Sequence, residues 1–118
     1  MSLSKSDRIY ILSQHLKTIS HISSSEYQKR VWILRKGAEY QTFDDLVCDF
    51  FDEADGILEK REDFGITEYQ HGVLKKFRDR FEAFCDENNY PEEFIDTLEW
   101  GNITNMAKEV LLAFNYEN

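Results

Sequence analysis

A chain of 118 residues with a single proline, Pro91, and five glycines holds almost nothing that interrupts a helix. Proline removes a backbone donor and clashes in a helix interior, and glycine there costs about 1 kcal/mol relative to alanine, so their scarcity leaves helical periodicity free to run. The apolar residues take up that period. Ile9, Leu12, Leu16 and Ile19 form one stripe in a first helix from about Ser6 to Ile22, which the run Ser23, Ser24, Ser25 breaks because serine favours caps over interiors. Ser25 with Gln28 three residues later reads as a capping box for a second helix carrying Tyr27, Val31, Leu34 and Ala38, with Gly37 as an early end. Thr42 caps a third, whose inner face is Phe43, Leu46, Val47, Phe50, Ala54 and Ile57.

Gly65 is placed to close that stretch, and Thr67 with Gln70 opens a fourth helix running to about Asp86 on Val73, Leu74, Phe77, Phe81 and Phe84. Pro91 stands at the first position of a short helix with Phe94 and Ile95. Thr97 opens the last, with Trp100, Ile103, Ala107, Val110, Leu111 and Phe114 inward. No segment shows sustained period-two alternation. The expected fold is all-α: one compact domain over residues 1–118, a bundle of five or six helices.

A chain of this length buries roughly 65% of its unfolded surface and needs no metal or disulfide to fold. Nine Phe, six Tyr and two Trp exclude a disordered acidic tail, which lacks the aromatics of a core. Cys48 and Cys85 stand apart without a CxxC pair, which points to reduced thiols in the cytoplasm. No apolar run approaches the roughly 20 residues that span a bilayer, and Lys5, Asp7 and Arg8 are not followed by a secretory apolar region.

Charge is the feature that speaks to partners. Residues 1–40 carry +4 and residues 41–118 carry −13, for a net −9. Between Gly37 and Glu59 stand eight carboxylates and no Lys or Arg, and between Phe81 and Ala107 stand seven more, again with no base. Solvated helices usually intersperse Lys and Arg at i+4, yet Asp45/Asp49 and Asp55/Glu59 are like-charge i,i+4 pairs, each costing a few tenths of a kcal/mol. The bland reading is that Asp45, Asp49, Asp52 and Glu53 are the solvated side of an amphipathic helix. The sharper one is a surface whose potential speeds capture of a cationic partner.

Catalytic constellations are sparse. Asp44 to Asp49, DDLVCD, superficially resembles the aspartate-rich magnesium motif of isoprenoid synthases, but a chain this short cannot enclose a prenyl group and carries no second metal motif. Asp52 to Gly56 lacks the ligand spacing of a calcium loop. His15, His21 and His71 are too scattered for a metal pair and read as ordinary surface or edge histidines. Lys29, Arg30, Arg35 and Lys36 around Trp32 are too few against the net charge for nucleic-acid binding, and pairing within the molecule or with solvent is expected. Neither an enzyme nor a cofactor is indicated.

Three stretches, FDDLVCDFFDEADGILE, FGITEYQHGVLKKFRDRFEAFCDEN and YPEEFIDTLEWGNITNMAKEVLLAFNY, resemble small bacterial immunity proteins of contact-dependent growth inhibition and related polymorphic-toxin systems. The resemblance covers about residues 42–116. It implies a cytoplasmic, non-catalytic inhibitor that binds a cognate toxin domain, often a nuclease, and occludes its active site, with neither nucleic acid nor membrane as partner. It transfers no individual site residue. From charge come Asp45, Asp49, Asp52 and Asp55 as an electrostatic core, Glu92, Glu93 and Asp96 as a second patch, and Tyr90 as an aromatic anchor of a type favoured at hot spots. The alternative is a helical adaptor or regulator that recognises a basic protein without inhibiting it.

Overall fold

The computed structural model describes residues 4–35 and 41–116. Every regular element among them is helical, and there are seven helices rather than five or six. In order they are α1 (Lys5–Ser23), α2 (Ser25–Tyr27) running directly into a π-helical segment (Gln28–Ile33), α3 (Phe43–Glu59), α4 (Arg61–Phe64), α5 (Glu68–Glu87), α6 (Pro91–Phe94) and α7 (Leu98–Ala113). The count exceeds expectation because the third stretch breaks at Lys60, leaving α4 as a separate turn. Gly65 closes α4 with φ 64°, a left-handed value that glycine adopts without steric cost, and Ile66 N–H reaches back to the Arg61 carbonyl at 3.3 Å.

The cap chemistry explains where the long helices start. Thr42 and Asp45 satisfy each other's backbone N–H groups, as do Thr67 and Gln70. Ser4 caps α1 through Asp7 N–H, and the Thr97 hydroxyl accepts from Trp100 N–H while donating to the Phe94 carbonyl at 2.7 Å. Pro91 occupies the first turn of α6, where its missing donor is harmless.

The four long helices form a ring in which each packs on two others: α1 on α3 and α7, α5 on α3 and α7. Phe43 meets Phe81 while Leu58 meets His71, so α3 and α5 run antiparallel. Gln70 reaches the Ala113 carbonyl while Phe84 meets Trp100, so α5 and α7 do too. Between them lies an aromatic core of Phe43, Phe50, Phe77, Phe81, Phe84 and Trp100, each no more than 4% exposed. Edge-to-face contacts dominate, such as Phe50 on Phe81 at 5.2 Å and 90°, a geometry that adds to plain burial.

Three expectations change. The cap of α2 is Ser24, not Ser25, and Gln28 turns inward instead of capping. Residues Gln28–Ile33 are π-helical, with Leu34 N–H bonded to the Lys29 carbonyl at 2.8 Å, and the wider turn buries Gln28, Val31 and Trp32 while leaving Leu34 exposed. Gly37 and Ala38 lie outside the described residues. On α1, Ile9 is 60% exposed and Leu12 only partly buried, because the start of α1 lies beside the four-residue α4. The burial on α1 is in its second half, from His15 onward.

Candidate acidic interface

The outward side of α3 carries the first base-free tract. Asp45 is exposed, but one of its oxygens accepts from Thr42 N–H at 3.2 Å, so the carboxylate completes the helix start. Asp49 and Asp52 are exposed and have no salt-bridge partner among the described residues. Partial desolvation pushes the Asp49 carboxyl above the ordinary carboxylate range, and the charges of Glu53, Asp45 and Asp52 push the same way. The i,i+4 repulsion expected from Asp45 and Asp49 therefore acts in the folded protein.

Asp55 belongs to a different surface. Its carboxylate accepts from Arg78 of α5 at 3.0 Å, and the same guanidinium reaches Asp79 at 3.2 Å and Glu82 at 3.1 Å. The hydrogen bond that Arg78 donates to Asp55 is the main reason that Arg78 is held above its ordinary pKa. Arg78 also stands over the Phe51 ring at 5.3 Å, so one cation covers an apolar edge and pairs with three carboxylates. Lys75 completes the group with Asp79 at 3.0 Å, and that hydrogen bond lowers the Asp79 pKa. Asp55 is thus compensated across helices.

Glu53, grouped by sequence with the solvated face, points to α1. Its carboxylate lies 3.1 Å from His15 Nδ1, and His15 is fully buried against Phe50 instead of standing at the surface. The reason is positional: His15 shares a helical face with Leu12 and Ile19, and a carboxylate partner makes a polar ring tolerable inside. His71, partly buried, meets the Leu58 carbonyl at 3.2 Å, and His21 stacks on Tyr27 at 3.7 Å. Arg30 of the basic segment pairs with Glu26 at 2.9 Å, and Lys36 lies outside the described residues.

The second tract holds its acids differently. Tyr90 is the N-cap residue of α6 and 60% exposed, Glu92 and Glu93 sit exposed in its first turn, and Asp96 is exposed in the turn before α7. None of these carboxylates has a salt-bridge partner among the described residues. The corner is firmly seated: α6 packs on the π-helical segment, and Phe94 is buried 4.7 Å from Trp100. Beneath it, Trp100 Nε1 donates to Gln28 Oε1 at 2.9 Å, while Gln28 Nε2 donates to the His21 and Ile22 carbonyls.

The structure therefore divides the residues chosen by charge. Asp49 and Asp52 form one open patch, with Asp45 at its capped edge. Tyr90, Glu92, Glu93 and Asp96 form another, and Asp55 is withdrawn. Sequence reasoning passed over Leu98, 90% exposed at the start of α7. Its signal was present, since a residue two positions before Trp100 falls on the opposite side of the helix from the inner stripe.

Among the described residues no group of three or more His, Cys, Asp and Glu is arranged to hold a metal ion. No described helix is long and apolar enough to cross a membrane. Burial pushes the Cys85 thiol up to about 12, with the charges of Asp86, Asp44 and Glu82 acting the same way, so it is protonated and inert at neutral pH. Comparison with protein-family models, with curated proteins and with solved structures gives no match to this chain.

Proposed function

We propose that this protein is an immunity-type inhibitor: it binds a cognate toxin domain with a basic active-site cleft, a nuclease being the expected kind, and blocks it by electrostatic capture and occlusion. The observation that carries the reading is the set of carboxylates Asp49, Asp52, Glu92, Glu93 and Asp96, exposed and without a cationic partner among the described residues. A fold that pairs Asp55, Asp79 and Glu82 with one arginine has the means to pair its acids, and leaves these open. Open like charges raise the rate at which a basic partner is captured, and a folded backbone presents them at a lower ordering cost than a disordered segment. The resemblance to contact-dependent growth-inhibition immunity proteins supplies the biological class. No catalytic or cofactor role is proposed.

The test is co-expression with the toxin encoded beside it. Protection of the cells and a complex that weakens steeply with salt are expected. Failure to protect rejects inhibition, and recovery from the native host of a basic protein whose activity is unaffected replaces it with the adaptor reading.

A further inference from the structure

The corner from Tyr90 to Glu99 carries something the α3 patch lacks: large apolar groups turned to solvent. Tyr90, which caps α6, is 60% exposed, and Leu98, the first residue of α7, is 90% exposed. Neither is demanded by the core, since Phe94 and Trp100 fill the inward positions between and beyond them at 2% exposure. The backbone under them is locked by Glu93 N–H to the Tyr90 carbonyl, Ile95 N–H to the Pro91 carbonyl and Thr97 N–H to the Phe94 carbonyl, each 2.9 Å. Four carboxylates, Glu92, Glu93, Asp96 and Glu99, are interleaved with the two apolar side chains. Exposed aromatic and aliphatic side chains on a preorganised turn, alternating along it with polar groups, have the composition of an interface hot spot.

We infer that this corner is the primary docking surface, and that its occupant is a basic protein segment offering an apolar side chain between Lys or Arg residues. The inference rests on the reading above that the partner is basic, and it decides which of the two open acidic patches makes the specific contact. Charge selects the occupant. A second copy related by a two-fold axis would set the same four carboxylates against one another, and like-charge juxtaposition costs several kcal/mol. An anionic bilayer surface would be repelled in the same way. Asp49 and Asp52, with no exposed large apolar residue among the sites of α3, then contribute to attraction at a distance and little to the seated complex.

The experiment is an amide NMR titration of the full chain with two synthetic peptides of equal positive charge, both arginine-rich, one with a Leu-Phe centre and one with a Gly-Ser centre. The Leu-Phe peptide is expected to bind about tenfold tighter or more, as burial of a large apolar side chain predicts. Its shifts should centre on Tyr90 to Glu99. Tyr90→Ser, which installs a preferred N-cap residue, and Leu98→Gln, which keeps a good helix former, should erase the preference for the Leu-Phe peptide without loss of fold. Asp49→Asn with Asp52→Asn should leave that preference intact.

Equal affinity for the two peptides, no binding of either, shifts centred on α3, or concentration-dependent shifts of the corner in the protein alone would each overturn the docking surface. Protection of cells against the toxin reports separately. A chain that binds the Leu-Phe peptide at the corner yet fails to protect overturns the inhibitor reading alone, and one that protects equally well with both corner substitutions overturns the docking surface alone.

Discussion

The face where α3 meets α5 and the corner between α6 and α7 are both acidic in sequence, and they treat their charge in opposite ways. On the first, Arg78 stands among Asp55, Asp79 and Glu82 at 3.0 to 3.2 Å, and Lys75 joins through Asp79. On the second, Glu92, Glu93, Asp96 and Glu99 have no cation within salt-bridge distance among the described residues, and the positive ends of α6 and α7 give the nearby compensation. Where two long helices must pack, the acids are paired. Where a short turn faces outward over Phe94 and Trp100, they are left open. Local charge counting misses this difference, because the decisive cation for Asp55 lies 23 residues away.

The two regions share one core, and the largest effect should come from cutting the link beneath the corner. Gln28→Ala would take a partner from Trp100 Nε1 and from the Ile22 and His21 carbonyls, the last of which keeps Ser24 N–H, in a site 1% exposed, for an expected loss of about 3 kcal/mol in urea unfolding. A loss under about 1 kcal/mol would mean that this buried bond does not hold the corner in place.

Next in size is Arg78→Ala, expected to cost about 1 to 2 kcal/mol through lost ion pairing and lost cover of Phe51. It would also strip Asp55 and Glu82 of their cation, leaving Lys75 on Asp79 as the pair that remains on a more repulsive face. Added salt should therefore stabilise the variant more than the parent, and unfolding at two ionic strengths measures that. An unchanged salt response would erase the contrast between the two regions.

Smallest is Asp49→Asn, expected to stabilise by about 0.5 kcal/mol at neutral pH and low salt, since it relieves i,i+4 repulsion with Asp45 and Glu53. The sign follows from the raised pKa. The folded state binds the Asp49 proton more tightly than the unfolded chain, so the ionised form opposes folding above the carboxylate range. The advantage of the variant should fade as the pH falls through that range, and a pH series of unfolding midpoints tests it.

Much of the architecture is written in local chemistry. The caps at Thr42, Thr67 and Thr97, the left-handed Gly65, the leading Pro91 and the inward positions from Phe43 to Ile57 and from Trp100 to Leu111 follow from spacing and residue type alone. His15 and Glu53 were not legible, because a buried histidine and its half-buried carboxylate look like two surface residues until the two helices are brought together. Gln28 was misread for the same reason, since its capping spacing competes with a tryptophan 72 residues away.

The sequence by itself determined that this chain is helical, aromatic-cored and strongly acidic beyond residue 40, since propensity, period and charge are properties of neighbours. Only the tertiary structure decided which acids are open, which apolar residues stay in water, and where the helix turns π, because those outcomes depend on what other segments bring within a few ångströms. Tyr90 and Leu98 are exposed for that reason: Phe94 and Trp100 have already filled the space beneath them.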